Sequence, residues 1–249
     1  MIERDEREGI TILRMKDGKA NVMALELCER MTALMEELRA AMTPAVVITG
    51  AGRIFSAGVD LLRLLDEGVP YIRRFLPALS TMFTSVFSFP KPVVAAINGH
   101  AIAGGCVLAC AADRRLMARD GGRIGVTELL VGVPFPASAL EIMRCALPPQ
   151  HLEDVLWSGA TYAPAEATVR GLVHEVADSD TLLARALGCA KALAALPPAA
   201  FALTKRQTRG PAFEQIAADA NRAEVEQIWT APDTLARIED YVRRTLRKT

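Results

Sequence analysis

The apolar positions change period several times along the chain, and the changes outline alternating strands and helices. Gly9 to Met15 alternates and is rich in β-branched residues, the pattern of a half-buried strand, and Asp17-Gly18 closes it with a turn. Leu27, Met31, Leu34, Leu38 and Met42 then recur every three or four positions, predicting an amphipathic helix that ends near Pro44. Ala45 to Thr49 (AVVIT) is a short continuous apolar run, as in a strand covered on both faces, and it feeds the loop GAGRIFSAGVD. Strand, helix and strand in that order imply a parallel crossover.

Helical spacing resumes after Pro70 through Tyr71, Phe75, Leu79, Met82 and Val86, and stops at Pro90 and Pro92. Val93 to Ile97 (VVAAI) is a second buried strand. It runs into a loop ending Ala103-Gly104-Gly105, whose glycines open an apolar helix over Cys106 to Ala112. Shorter elements follow between Arg114 and Gly132, and a helix starts near Ala137. From Ser179 the pattern is almost continuously helical, with helices over Leu182 to Leu193 and Pro198 to Arg209 and two more beyond Gly210.

No hydrophilic or Gly/Ser-rich stretch divides the 249 residues, so one domain is expected, and 51% apolar against 23% charged residues excludes a disordered chain. The 29 basic residues balance the 29 acidic ones, which leaves no net field for nucleic acid or an anionic membrane. The opening MIERDEREGI is unlike a secretory signal and no later segment approaches membrane-spanning length, so a cytoplasmic location is expected. Cys28, Cys106, Cys110, Cys145 and Cys189 lack the paired spacings of a zinc site or a disulfide framework. Cys106 and Cys110 read as small core hydrophobes, and no metal is expected.

Candidate chemistry is concentrated at two strand-to-loop junctions, Phe55-Ser56-Ala57-Gly58 and Ala103-Gly104-Gly105. Small residues there let backbone N–H groups approach a ligand, and two such donors, one at a helix N-terminus, suit an enolate or tetrahedral oxyanion. Glu128, flanked by Val126, Leu129 and Leu130, is a carboxylate whose pKa burial would raise toward the range of a general acid or base. His100, His151 and His174 lie in unrelated segments, and no G-x-S-x-G elbow accompanies them, so His100 reads as a loop-stabilising residue. The strand and GAG of Ala45 to Gly52 lack the third glycine and following helix of a dinucleotide site.

The strings IFSAGVDL (Ile54 to Leu61), KPVVAAINGHAIAGGCVLACAADRR (Lys91 to Arg115) and IGVTELLVGVP (Ile124 to Pro134) resemble, in order and separation, the successive signatures of the enoyl-CoA hydratase/isomerase, or crotonase, family. The similarity extends over roughly residues 8 to 210. It implies an α/β fold, a spiral of β-β-α repeats over residues 1–195, with a C-terminal helical region over 196–249 used in forming a homotrimer or dimer of trimers. The implied substrate is an acyl-CoA thioester, with no separate cofactor. Ala57 and Gly104 match the positions whose N–H groups form the oxyanion hole. Ala20, Val22, Gly58, Asp60 and Leu61 match segments lining the CoA site, and Lys205 resembles a basic position near its nucleotide end.

Hydratases of this family use two glutamates, and this sequence keeps one. The first position is Val107, one helical turn after Gly104; the second is Glu128. Hydration needs an oriented water and a proton donor, whereas moving a double bond from C3–C4 to C2–C3 needs one group to shuttle a proton. The lone glutamate resembles the Δ3,Δ2-enoyl-CoA isomerases, with Val107 keeping water out. A second departure is GVPFPASALEIMR (Gly132 to Arg144), where Phe135 and Pro136 stiffen the turn and reshape the acyl pocket, and Glu141 reads as part of a solvated helix face. The alternatives are a hydratase, a decarboxylase or thioesterase on the same oxyanion hole, or a non-catalytic CoA-binding or RNA-binding member.

Overall fold

The computed structural model describes residues 1–245; the last four positions of the expected C-terminal helical region, 246–249, lie outside the described residues. Strands β1 (Ile2–Arg7) and β2 (Ile10–Met15) form an antiparallel hairpin, followed by helix α1 (Leu25–Ala40). Three strand–strand turns then succeed one another. The first is β3 (Val46–Gly50), β4 (Ile54–Ser56) and helix α2 (Leu61–Phe87); the second is β5 (Val93–Ile97), β6 (His100–Ile102) and α3 (Gly104–Ala111). The third is β7 (Arg114–Ala118), β8 (Ile124–Gly125) and a single 3-10 turn, Glu128–Leu130. After α4 (Ala137–Ala146), α5 (Pro149–Ser158), α6 (Pro164–Val169) and β9 (Glu175–Ala177), the chain ends in α7 (Leu182–Ala194), α8 (Pro198–Ala218), α9 (Arg222–Trp229) and α10 (Pro232–Thr245).

The first strand of each turn joins a large sheet of order β1-β2-β3-β5-β7-β9, and the second joins a small sheet β4-β6-β8. Every pairing is parallel except β1 with β2. Because β4, β6 and β8 run the same way, the loops that leave them emerge along one edge. These are the loops that carry Ala57–Asp60, Ala103 and Thr127–Glu128.

The uninterrupted apolar runs of β3 and β5 have a simple cause. Val46, Ile48, Val93, Ala95 and Ile97 face the core shared with α1, α2 and α3, while Val47, Val94 and Ala96 face α7 through Leu182, Ala186, Leu187 and Ala190. A strand covered on both sides has no use for polar alternation. Edge strand β1 is the opposite case: only Ile2 of its six residues is buried. Its charged sequence gave no strand signal, and charge on an edge discourages unwanted pairing.

Two helices run past their expected limits. Helix α2 begins at Leu61, capped by Asp60, whose side chain accepts the Arg63 N–H at 3.1 Å; a left-handed Gly68 (φ 64°) interrupts it just before Pro70. Helix α8 continues through Gly210 and Pro211, where Ala212 is buried and the Phe213 ring lies 5.3 Å from that of Phe87. Packing outweighs the weak helix propensity there.

Helix α8 is also fixed by charge. Asp113, between α3 and β7, accepts hydrogen bonds from the Val93 N–H (2.7 Å), Lys205 Nζ (2.8 Å) and Arg209 Nη2 (2.9 Å), and all three charged side chains are largely buried. No single described helix is long and apolar enough to cross a membrane.

Candidate active site

The edge shared by β4, β6 and β8 borders a cavity of about 80 Å³, lined mostly by apolar side chains. Two loops form one wall. In the first, Gly58 has φ +86° and packs so closely on the second that an added Cβ would lie 2.8 Å from Ile102 O and 3.1 Å from Gly104 N. Only glycine satisfies both the left-handed backbone and the contact. In the second loop Ala103 is held at φ 51° and ψ −125°, a conformation that L-residues rarely occupy. Its N–H is tied to Gly125 O at 2.9 Å, and its carbonyl accepts Cys106 N–H and Val107 N–H at 2.8 and 3.2 Å. This kink starts α3 at Gly104, so the Gly104 N–H lies in the first turn, where no helical acceptor exists.

The same cavity lining carries a carboxylate. Glu128 opens the 3-10 turn after β8 and lines the cavity. Its Oε2 is buried without a hydrogen-bond partner among the described residues. Burial pushes its pKa up from 4.5 to about 7, against the smaller opposing pull of the Glu128 and Thr127 backbone N–H groups. Val107, one turn into α3 and buried, faces the same cavity. The lining also includes Phe135 and two residues from the C-terminal helices, Trp229 and Tyr241. Trp229 Nε1 donates to Pro134 O at 2.9 Å, locking α9 to the turn that carries Phe135.

Paired loops with small residues, an unpartnered carboxylate and an apolar chamber can hold a thioester carbonyl and move a proton beside it. The sequence model of the family described as enoyl-CoA hydratase/isomerase matches residues 5–231. The chain belongs to the enoyl-CoA hydratase/isomerase family. The alternating assignment of strands to two sheets is its crotonase-type spiral, and acyl-CoA thioesters are the substrates of its enzymes. The chain is 32% identical over 205 residues to a Thermus thermophilus protein that carries an enoyl-CoA hydratase name, with 80% of each chain covered. It is 26% identical over 212 residues to mitochondrial enoyl-CoA delta isomerase 1 of Mus musculus, covering 84% of this chain and 73% of that one. The crystal structure of enoyl-CoA hydratase EchA3 from Mycobacterium ulcerans superposes with a TM-score of 0.84 at 29% identity, over 90% of this chain and 98% of that one.

Within this crotonase frame Ala57, Leu61, Gly104, Val107 and Glu128 come together around one cavity. One expectation is corrected in its detail. The Ala57 N–H donates to Ala20 O at 3.0 Å and is not a free donor. The left-handed Gly58 turns the chain, and the next residue, Val59, lines the cavity with an N–H that donates to no protein acceptor among the described residues. Ala20 and Val22 do not line the cavity; their segment is pinned by buried Asn21, whose Nδ2 donates to Ile54 O at 2.8 Å and whose carbonyl accepts Ser56 Oγ at 2.8 Å. Gly58 is the pivot of the loop and Asp60 the cap of α2.

Lys205 does not offer an open cation to a nucleotide. It is 9% exposed, its ammonium is paired with Asp113, and burial lowers its pKa to about 8. Glu141 is not on a fully solvated face either: it pairs with Arg144 at 3.2 Å and lines an outer groove separate from the cavity beside Glu128. His100 accepts the Arg123 N–H at 3.2 Å and packs on Gly122, as a loop-stabilising residue does. Cys106 and Cys110 are buried and free on one face of α3. Sequence reasoning missed Val59, Trp229 and Tyr241. Trp229 alone carried a signal, as one of two tryptophans in the chain, set in an otherwise polar helical tail.

Proposed function

We propose that this crotonase is a Δ3,Δ2-enoyl-CoA isomerase in which Glu128 carries one proton from C2 to C4 of the acyl chain. The observation that carries the reading is the lone carboxylate. Among the described residues that line the cavity, Glu128 is the only acid, and the neighbouring wall position that would hold a second one is Val107. A thioester carbonyl placed between the Val59 and Gly104 N–H groups would have its developing enolate charge stabilised by two preorganised donors and by the N-terminus of α3. Ionised Glu128 takes the C2 proton, the dienolate delocalises over C2 to C4, and the protonated Glu128 returns the proton at C4. A pKa near 7 leaves the group able to do both at neutral pH.

A hydratase is the second reading, favoured by the name of the Thermus relative and by Tyr241, a phenol on the cavity wall that can hold a water. The two are separated by incubating the protein with trans-3-hexenoyl-CoA and with trans-2-hexenoyl-CoA, beside Glu128→Gln, and following products by mass and enoyl-thioester absorbance. Glu128-dependent conversion of the 3-enoyl substrate with little hydration of the 2-enoyl one supports the isomerase. Efficient hydration sinks it. We also propose the homotrimer or dimer of trimers, supported by large apolar side chains left exposed on the single chain, including Val169 (72%) and Leu203 (44%). Sedimentation at micromolar concentration reads the assembly directly, and a monomer overturns it.

A further inference from the structure

We infer that Phe135 is a partition that restricts this site to short acyl chains; the inference rests on the acyl-CoA reading above and gives it a substrate class. Phe135 lines two spaces at once, the catalytic cavity of about 80 Å³ on one side and an outer groove of about 470 Å³ on the other. The groove is lined by apolar residues such as Leu140, Leu156 and Val225 together with polar and charged ones such as Glu141, Gln215 and Glu224. One ring therefore stands between a small apolar chamber beside Glu128 and a larger groove of mixed character.

Volume sets the limit. An apolar cavity of about 150 Å³ accepts the six carbons of benzene, so a chamber of this size takes roughly three or four carbon atoms. That holds a butenoyl chain; a hexenoyl chain exceeds it by about two carbons and a dodecanoyl chain by about eight. The remaining carbons would have to displace Phe135 or leave by the mouth through which the thioester enters.

Displacement is resisted by the backbone. Phe135 stands between Pro134 and Pro136, so the φ of both neighbours is fixed by a ring and the conformation of Phe135 itself is narrowed by the proline that follows. Pro134 O is held by Trp229 Nε1 at 2.9 Å, and Pro136 is the N-cap of α4. The two prolines thus give the partition its stiffness.

The test measures binding without turnover, using saturated hexanoyl-CoA and dodecanoyl-CoA in titration calorimetry with the intact protein, Phe135→Ala and Phe135→Leu. The expected result is that wild type binds hexanoyl-CoA at least tenfold more tightly than dodecanoyl-CoA. In Phe135→Ala the preference reverses, and Phe135→Leu falls between. The wild-type pair is decisive even where a variant does not fold. Equal or tighter binding of dodecanoyl-CoA by wild type overturns the partition, as does a Phe135→Ala protein that folds and keeps the wild-type ratio. Failure of wild type to bind either thioester overturns the acyl-CoA reading itself, a result distinct from equal binding of both.

Discussion

Asp113 and Glu128 are largely enclosed carboxylates in unlike surroundings. Asp113 receives three hydrogen bonds, two of them from cations, and ties β5, β7 and α8 together. Glu128 has an oxygen with no partner among the described residues, in an apolar chamber. The first arrangement holds the charge in place; the second leaves the group undecided between its charged and neutral forms. A folded chain stabilises itself with carboxylates of the first kind and does proton chemistry with the second.

Substitution of each separates the two roles. Glu128→Gln keeps the shape of the side chain and removes its proton chemistry, so kcat on a 3-enoyl substrate falls by about 10³-fold or more while the protein stays folded. A variant retaining a tenth of the activity breaks the assignment. Asp113→Ala does the reverse. It leaves Lys205 and Arg209 buried and unpaired, at a cost of about 3–5 kcal/mol in urea unfolding, with activity per folded molecule unchanged.

The contrast sharpens with pH. Folded Glu128 holds its proton up to about pH 7, whereas the unfolded carboxyl releases it near 4.5. Between those values the folded state holds this proton more tightly, so the contribution of Glu128 to stability falls as pH rises, by about 3 kcal/mol in all. The difference in unfolding free energy between wild type and Glu128→Gln should shift by this amount against wild type from pH 4 to pH 8; the comparison cancels His174, whose pKa burial lowers to about 3 and whose contribution runs the other way in both proteins. The rate of C2 proton removal should climb to a plateau above pH 7. A smaller effect concerns the wall beside Glu128. Ala103→Gly relieves a non-glycine residue at φ 51° and should raise thermal stability by about 1 kcal/mol, with kcat lowered by the looser start of α3.

Much of this architecture is legible in the residue pattern. The buried strands AVVIT and VVAAI, the glycines that open α3 and the apolar flanks of Glu128 all stand out there because burial and close approach restrict residue type. What the pattern hides is mostly orientation. Whether Ala57 or Val59 offers a free N–H depends on how far Gly58 turns the chain, and nothing in the string SAGVD fixes that angle. Lys205 resembles a nucleotide contact because its partner Asp113 is 92 residues away, and a pairing over that distance leaves no local trace. Trp229 and Tyr241 reach the cavity only because α9 and α10 fold back against α2.

The spiral has a consequence for how such an enzyme changes over generations. Each turn lays one strand in each sheet and then delivers a single loop to the common edge, so the loops carrying Gly58, Ala103 and Glu128 are separate inserts on separately anchored strands. A lineage can rewrite one of them without disturbing the strand registers that hold the others. New reactions can arise here one loop at a time.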